Sequence, residues 1–164
     1  MTGMPIPAAR QPLETFARLP GHLVRRVHQV ATAYFTAECG ADITAVQYAA
    51  LVAIGAHPGI DATRLCDLIY FDRSTIGDVL DRIEAKRWIV RRAAPHDRRV
   101  KVLELTQLGR TTLHGVEPGI GRVQARLLAP LSSREAQTFV RLLAKVADGS
   151  GAADADQVRA RRES

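Results

Sequence analysis

The residues with the most distinctive chemistry are the basic side chains of residues 86–101, KRWIVRRAAPHDRRVK. Seven of these sixteen residues are Lys or Arg and one is Asp, so the segment carries a charge of +6, which equals the formal net charge of the whole chain. In the rest of the chain, basic and acidic residues are therefore equal in number. A polyanion favours such clustering because each phosphate contact releases condensed counterions. The pattern indicates a nucleic-acid surface rather than a solvated charged loop.

A hairpin and three short helices are predicted to position this charge. WIVRRA and VKVLEL predict two strands, and APHDRR predicts the loop between them. Upstream, TAVQYAALVAI begins with Thr44 and Gln47 at the spacing of a capping box, and ATRLCDLI follows Asp61, a good N-cap. Asp72 can cap a third helix, RSTIGDVLDRIEAKR. Three short helices followed by a basic hairpin predict a winged helix-turn-helix.

Amphipathic helices are predicted on both sides of this module. The first has an apolar stripe and ends at Gly40, and its stripe is formed by Leu23, Val27, Val30, Ala31 and Tyr34. A second stripe follows residue 107, where the sequence EPG at 117–119 predicts a kink or a break. Ser132 and Glu135 predict another capping box, and Gly149 predicts the end of that last helix. Because these stripes need apolar partners, they favour a helix bundle in a dimer.

The predicted fold is mostly α-helical with a small β-hairpin wing, a winged helix-turn-helix plus a helical dimerisation region. Residues 1–19 are expected to form a flexible N-terminal arm. Residues 41–106 are expected to form the DNA-binding domain, and residues 20–40 and 107–148 a discontinuous dimerisation region. Residues 149–164, which are small, polar and charged, are expected to be a disordered tail.

Several other classes of protein are disfavoured. No apolar run is long enough to span a bilayer and no signal peptide is visible, so we expect a cytoplasmic protein without a membrane partner. Two cysteines and five scattered histidines lack metal-ligand spacing. No phosphate loop, dinucleotide fingerprint or nucleophile elbow is present, so we expect neither a cofactor nor enzymatic activity. The low aromatic content, 5%, disfavours a stacking platform for single strands.

Residues 20–147 resemble a family of transcriptional regulators, the MarR family. The resemblance lies in DRSTIGDVLDRIEAKRWIVRR and HDRRVKVLELTQLGR, where the aspartate–any–arginine signature of the family's wing falls on Asp97 and Arg99. LPGHLVRR and DITAVQYAALVAI are similar to the branch that controls the breakdown of aromatic acids. The resemblance implies a homodimer that binds double-stranded DNA at a pseudo-palindromic operator. It most simply implies a repressor that a small aromatic carboxylate or its thioester releases.

The resemblance also assigns DNA contacts. It implies that the recognition helix faces the major groove, that Arg98 enters the minor groove, and that Asp97 braces an arginine, most simply Arg99. For Ser74 or Thr75, capping of the helix is an alternative role. For Arg82, the alternatives to base readout are a phosphate contact and an intrahelical ion pair with Asp78. The full set of expected DNA contacts is Arg73, Ser74, Thr75, Asp78, Arg82, Arg87, Asp97, Arg98, Arg99 and Lys101.

Arg87 departs from the family pattern, because members of the family often have Gly after the recognition helix. Arginine is a poor left-handed cap. We therefore expect either that the turn before Trp88 has a different conformation or that Arg87 binds phosphate.

A site for a small aromatic carboxylate requires a cationic donor beside apolar walls. The candidates lie near the start of the first helix and around the second, and they are His22, Arg25, Arg26, Tyr48 and His57. His22 and Arg26, at i and i+4, form the preferred pair. Ordinary surface or core roles remain the alternative for each residue.

Two other functions remain open besides a ligand-responsive repressor. One is a redox-sensing repressor that uses Cys39, and the other is an architectural DNA-binding protein without regulation. Cys39 ends a helix, where the helix dipole raises a thiol pKa. A role as a small buried apolar residue is therefore favoured for Cys39 and Cys66 alike.

Overall fold

The computed structural model describes residues 10–94, 96–97 and 99–160, and within these ranges it describes side chains from residue 13 to residue 149. These residues are mostly helical with a small antiparallel sheet, which confirms the predicted fold class. In chain order the elements are α1 Arg10–Ala17, α2 Pro20–Cys39, α3 Ala45–Ala56, β1 Ile60–Asp61, α4 Ala62–Ile69, α5 Ile76–Ala85, β2 Ile89–Ala93, β3 Lys101–Leu105, α6 Gln107–Leu128 and α7 Ser133–Ala160. The chain divides into two compact units, one up to Gln124 and one from Ala125 onward.

The sheet has the strand order β1-β3-β2, and both pairings are antiparallel. The predicted hairpin is confirmed, with Ile89 opposite Leu105 and Arg91 opposite Leu103. Strand β1, in which Ile60 lies opposite Leu103, was not predicted. A strand of two residues is too short to show alternation, so no sequence pattern marks it.

Helices α3, α4 and α5 pack with the sheet around one apolar core. Each large apolar side chain that is fully buried stabilises the fold by roughly 1.5–3 kcal/mol relative to its exposed state. Six such side chains in this core have almost no solvent exposure, and they are Leu51, Ile54, Leu65, Ile83, Ile89 and Leu103. This core holds the helix-turn-helix and the wing in one lobe.

Three predicted helix caps are confirmed. Thr44 and Gln47 form the reciprocal capping box of α3, and Asp61 Oδ1 accepts a hydrogen bond of 2.9 Å from the backbone N–H of Arg64. Ser132 and Glu135 form the capping box of α7. Hydrogen bonds from Ser132 lower the pKa of Glu135, and the bond from the Ser132 side chain contributes more than the bond from its backbone.

Helix boundaries differ from the expectations at three places. Helix α1 lies within residues 1–19, so the loose arm was wrong for residues 10–17. Its Phe16 ring lies against His22 of α2, with 4.4 Å between the ring centroids. Helix α7 passes Gly149 and ends at Ala160, because an internal glycine costs only about 1 kcal/mol of helix propensity. Residues 1–9 and 161–164 lie outside the described residues.

Helix α6 continues through Pro118, so a break at EPG was also wrong. Proline removes one backbone donor, but the surrounding turns are held by packing. A Cβ atom on Gly119 would lie 2.7 Å from the carbonyl oxygen of Glu38, so the helix approaches the end of α2 closely. Arg122 donates to Glu38 at 2.7 Å in the same place. These contacts keep the proline-containing segment helical against α2.

The start of α6 packs equally closely on the lobe. A Cβ atom on Gly109 would lie 2.0 Å from the carbonyl oxygen of Trp88. Thr106 donates its backbone N–H to that same oxygen at 3.0 Å. Only glycine at position 109 allows α6 to begin directly on β2.

Candidate nucleic-acid interface

A tight turn leads into α5, the expected recognition helix. Asp72 Oδ1 accepts the backbone N–H of Ser74 at 2.6 Å, and the carbonyl oxygen of Asp72 accepts the backbone N–H of Ile76 at 3.2 Å. Hydrogen bonds from Ser74 lower the pKa of Asp72, and the bond from the Ser74 backbone contributes more than the bond from its side chain. The helix begins at Ile76, and Thr75 stands at its N-cap without a side-chain capping bond. Asp72 therefore stabilises the turn before the helix. The prediction that Asp72 caps the helix itself is wrong, because the N-cap position lies three residues later, at Thr75.

Two faces of α5 differ in burial. Ile76, Leu80 and Ile83 are buried against the lobe, whereas Asp78 and Arg82 are exposed. The predicted alternative of an Asp78–Arg82 pair is wrong, because no ion pair joins these two residues. Within the described part of the chain, the guanidinium of Arg82 forms no ion pair at all. The outward face of this helix therefore has a free cation beside the exposed hydroxyls of the preceding turn.

Arg73 in this turn is already paired. Its Nη2 donates to Asp67 Oδ1 of α4 at 2.8 Å, and this hydrogen bond raises the pKa of Arg73. Both side chains are exposed, so water and salt weaken the pair. A phosphate group can compete for this arginine.

At the base of the wing, three of the basic residues contact partners within the chain. Lys86 donates its ammonium to the carbonyl oxygen of Asp42, and its Nζ lies 4.5 Å from the centroid of the Trp88 ring. Its charge therefore helps to hold the α2–α3 loop on the lobe.

Arg91 and Arg92 are paired by carboxylates outside the basic segment. Arg91 contacts Asp81 at 2.6 Å and Glu84 at 3.2 Å, while Arg92 contacts Glu104 across the hairpin at 3.1 Å. The charge of +6 in the sequence is therefore not all available to a partner, because folding brings these carboxylates beside it.

The remaining described cations of the segment are exposed. Arg87, Arg99 and Lys101 form no ion pair with any residue that the structure describes. Arg98, the expected wing-tip residue, lies outside the described residues, as does Pro95. The interface that the structure describes thus combines the exposed face of α5 with three cations around the wing.

Asp97 braces the wing through the backbone. Its Oδ1 accepts the backbone N–H of Arg99 at 2.9 Å, and its carbonyl oxygen accepts the N–H of Val100 at 3.0 Å. The expected brace between Asp97 and Arg99 is therefore made to the backbone of Arg99 and not to its guanidinium, because a short aspartate side chain reaches the N–H two residues ahead most easily. The guanidinium of Arg99 is left for an external anion.

Arg87 adopts the conformation that glycine would have. Its φ of 60° is left-handed, its N–H bonds to the Glu84 carbonyl at 2.7 Å, and the N–H of Trp88 bonds to the Ile83 carbonyl at 3.0 Å. These two bonds form a Schellman motif, supported by the buried side chains of Ile83 and Trp88. The expectation of a different turn is therefore wrong. The left-handed backbone costs a residue with a Cβ roughly 1–2 kcal/mol.

The expected effector residues fall into separate places. His22, Arg25 and Arg26 lie on the first turns of α2, and the Nδ1 atom of His22 is buried without a hydrogen-bond partner among the described residues. His57 is exposed at the C-cap of α3. Tyr48 lies on α3, with its ring 6.1 Å from that of Phe35.

Tyr48 lines an open cleft of about 350 Å³ between α3, β3 and the start of α6. Its walls are apolar where α3 and β3 contribute and charged where α6 contributes, and the lining residues are Tyr48, Val52, Gly55, Ala56, Leu105, Arg110, Leu113, His114 and Glu117. His114 Nδ1 lies 3.3 Å from Glu117 Oε1. Arg110 and His114 were not predicted as effector residues, because the apolar stripe of α6 does not show which polar residues of that helix face the cleft.

Comparison with known proteins identifies the family. The sequence model of the MarR family matches residues 41–100. The HTH-type transcriptional repressor NicR of Pseudomonas putida is 28% identical over 129 residues, which cover 78% of this chain and 82% of NicR. The transcriptional regulator HosA of Escherichia coli is 30% identical over 125 residues, which cover 76% of this chain and 92% of HosA. This chain belongs to the MarR family.

Solved structures of transcriptional regulators are similar to this MarR-family chain. PcaV of Streptomyces coelicolor, in complex with its natural ligand, has a TM-score of 0.77 and 30% identity, covering 92% of this chain and 99% of PcaV. Bordetella bronchiseptica BpsR, whose DNA binding is regulated by 6-hydroxynicotinic acid, has a TM-score of 0.77 and 26% identity. The match covers 81% of this chain and 96% of BpsR. A mutant MarR of Escherichia coli, complexed with operator DNA, has a TM-score of 0.72 and 27% identity. The match covers 77% of this chain and 91% of that MarR chain. The chain is thus a MarR-family transcriptional regulator with the winged-helix fold.

The cysteines of this MarR-family chain have weakly reactive surroundings. Burial raises the pKa of both thiols, and at Cys39 the charge of Arg122 lowers it while Glu38 raises it. Cys66 is buried in the core and Cys39 is partly buried. Within the described residues, no cluster of three metal-ligating side chains occurs, and no helix is long and apolar enough to cross a bilayer.

Proposed function

We propose that this MarR-family chain is a homodimeric repressor that a small aromatic acid or its thioester releases from a pseudo-palindromic operator. In this role it would control the breakdown of aromatic compounds. The observation that carries the proposal is the outward face of α5, where Arg82 is exposed and forms no ion pair with any described residue, beside the turn of Ser74 and Thr75. A free guanidinium on an exposed recognition helix is suited to a guanine edge or a phosphate in the major groove.

The DNA contacts divide by chemistry. On α5 we assign base readout to Arg82, with Asp78 accepting from a cytosine or orienting that arginine. Ser74, Thr75 and Arg73 would bind backbone phosphates at the entrance to the helix, where hydroxyl and guanidinium donors position the protein without reading sequence. Asp67 would release Arg73 when a phosphate takes its place.

The wing would follow the adjacent minor groove. Arg99 and Lys101, both exposed and unpaired with described residues, contribute positive charge where a narrow groove concentrates negative potential. Arg98 would lead into the groove, and Asp97 would keep the loop shaped through its bonds to the backbone. Arg87 would bind a phosphate at the end of α5.

Dimerisation is supported by apolar side chains that the single chain leaves exposed. At the N-cap of α2 and along the helix, more than a third of each apolar residue of one stripe is exposed, at spacings of three and four residues; these residues are Leu19, Leu23, Val27 and Val30. On α7, Val140, Leu143 and Val146 are exposed in the same manner. A second copy would cover these stripes and hold two recognition helices about 34 Å apart, the repeat of B-DNA.

Two sets of residues support effector binding. The buried Nδ1 atom of His22 has no hydrogen-bond partner among the residues that the structure describes, and a buried polar atom gains free energy when a ligand group satisfies it. The cleft at Tyr48 contains Arg110 and His114, which suit a carboxylate beside an aromatic wall. Within one chain these are two separate places. Phe35 of α2 is the neighbour of Tyr48 and lies thirteen residues after His22, so the helical rise separates His22 from the cleft by ~20 Å along α2.

The effector would act by its preference for one dimer shape. A ligand that binds more tightly when the recognition helices do not match the half-sites weakens DNA binding by that difference alone, typically ~1–3 kcal/mol. That PcaV has a natural ligand and BpsR responds to 6-hydroxynicotinic acid supports a small aromatic acid here.

The DNA-binding part is tested by selecting duplexes from a randomised library with the purified protein. We expect enrichment of an inverted repeat whose half-site centres are one helical turn apart. Selection of no common sequence would instead indicate an architectural DNA-binding protein. Failure to retain any duplex would contradict the proposed function.

The effector part is tested by thermal shift with benzoate, hydroxycinnamates, 6-hydroxynicotinate and their coenzyme A thioesters. A compound that raises the melting temperature should release the selected operator in a gel-shift assay. If the carboxylate binds at His22, His22→Ala should abolish that response. If it binds in the cleft at Tyr48, Arg110→Ala should abolish it instead. His28→Ala, which removes an exposed imidazole from the same helix, is the matched control. A panel without any shift would contradict the effector class.

A further inference from the structure

Tyr70 is an aromatic residue that the fold leaves in solvent. Its side chain is 82% exposed, whereas the ring of the next residue, Phe71, packs against the core. The two residues connect α4 to the turn that precedes α5. The chain therefore turns one aromatic ring inward and directs the other outward at this point.

The backbone of Tyr70 is strained. Its φ of 50° and ψ of 47° are left-handed, which costs a residue with a Cβ roughly 1–2 kcal/mol. The turn is made by backbone groups, because the N–H groups of Tyr70 and Phe71 both bond to the carbonyl oxygen of Cys66. Glycine occupies the positive-φ positions 40 and 59. Glycine at position 70 would make the same turn at a lower cost, so the turn itself does not require a tyrosine.

Tyr70 is also placed beside the proposed DNA contacts. Ser74 is four positions further along the chain, so the Cα atoms of the two residues are at most ~14 Å apart. Arg87, the other left-handed residue with a side chain among those described, follows the end of α5, whereas Tyr70 ends α4 in the segment that leads into α5. Strained backbone is often found at functional positions.

We propose that Tyr70 is a DNA-binding residue whose phenolic O–H donates to an operator phosphate beside the major groove. This inference rests on the proposed function. Tyrosine hydroxyls are among the groups that bind the DNA backbone. Because the residue lies before the recognition helix, it fixes the position of the helix and does not read bases. Because the phenol is neutral, its contact displaces no cation from the DNA.

The test measures the affinity of Tyr70→Phe and Tyr70→Gly for the selected operator and for an unrelated duplex, at several salt concentrations. We expect Tyr70→Phe to lose about tenfold in affinity for each contact, and so about a hundredfold for a dimer that makes two, on both duplexes, since a hydrogen bond to a charged group contributes at this level. The slope of affinity against salt should stay unchanged. Tyr70→Gly should bind as weakly as Tyr70→Phe while melting at a higher temperature, which a purely structural role would not produce.

Each part of the inference can fail separately. If wild type binds DNA and both variants bind equally well, the inference is overturned while the proposed function stands. If only Tyr70→Gly loses affinity, the ring and not its hydroxyl is used, and the phosphate contact is overturned. Leu68→Ala trims an exposed side chain two residues earlier, and an equal loss there would overturn the assignment to Tyr70. If wild type binds no duplex, the proposed function itself has failed.

Discussion

The winged-helix lobe and the helices α2 and α7 contain the same kinds of apolar residue, yet they bury them differently. In the lobe, side chains such as Leu51 and Leu103 are almost completely buried. In α2 the buried residue is Phe35, and among the described side chains of α7 none is buried. The lobe has its own core, whereas the two helices present apolar stripes that a second copy is proposed to cover.

This difference shows that an apolar stripe indicates an interface without indicating the partner. The stripes of α3 and α5 meet each other and the sheet within one chain, so burial follows directly from folding. The stripes of α2 and α7 have the same spacing but remain exposed. Stability of the lobe should therefore depend on local packing, and that of the other helices on protein concentration.

The largest expected effect is the loss of lobe packing in Leu103→Ala. Leu103 is 1% exposed and lies at the centre of the sheet, paired with both Ile60 and Arg91. Truncation of a buried leucine leaves a cavity and costs about 2–5 kcal/mol. Urea unfolding should show this loss at every protein concentration. Val100→Ala, on the exposed wing, is the control and should change the unfolding free energy by less than about 1 kcal/mol.

The next effect in size should be loss of the dimer in Leu23→Asp/Val27→Asp. Two carboxylates in the α2 stripe would have to be buried unpaired in the proposed interface, which disfavours association. Sedimentation should show a monomer whose lobe remains folded by near-ultraviolet circular dichroism. Gln29→Asp places the same charge about 200° around the helix from Val27 and should leave the dimer intact. A double variant that remains dimeric would remove α2 from the interface.

A smaller effect is expected at Arg87. Arg87→Gly relieves the left-handed backbone and should raise the unfolding free energy by about 1 kcal/mol. Arg87→Ala keeps the Cβ, so it should give no such gain. Both variants should lose DNA affinity equally if the guanidinium binds phosphate. Equal stability of the two variants would contradict the strain that the φ of 60° implies.

Much of the fold was predictable because its signals are local. Capping boxes such as Thr44–Gln47 and alternation in the hairpin depend on neighbouring residues, and both were confirmed. The errors arose where distant residues decide. Helix α6 passes Pro118 because Gly119 packs on Glu38, and Arg92 is paired because Glu104 lies across the hairpin. The charge cluster therefore indicated a basic surface but not which cations remain unpaired.

The candidate site was partly predictable for the same reason. The exposed face of α5 follows from helical periodicity, so Asp78 and Arg82 were placed correctly on its surface. The left-handed conformations of Tyr70 and Arg87 could not be read from residue type, because both positions would usually favour glycine. The cleft at Tyr48 needs Arg110 from a helix distant in sequence, which no local spacing shows.

The most direct test of the account is the salt dependence of operator binding in Arg99→Gln/Lys101→Gln. If both cations contact phosphate, a dimer loses four contacts, and the slope of log affinity against log salt should fall in magnitude by about 3 to 4. Arg92→Gln/Glu104→Gln removes an ion pair from the same hairpin without changing the net charge, and its slope should match wild type. An unchanged slope in Arg99→Gln/Lys101→Gln would contradict the claim that the unpaired cations of this wing bind duplex DNA.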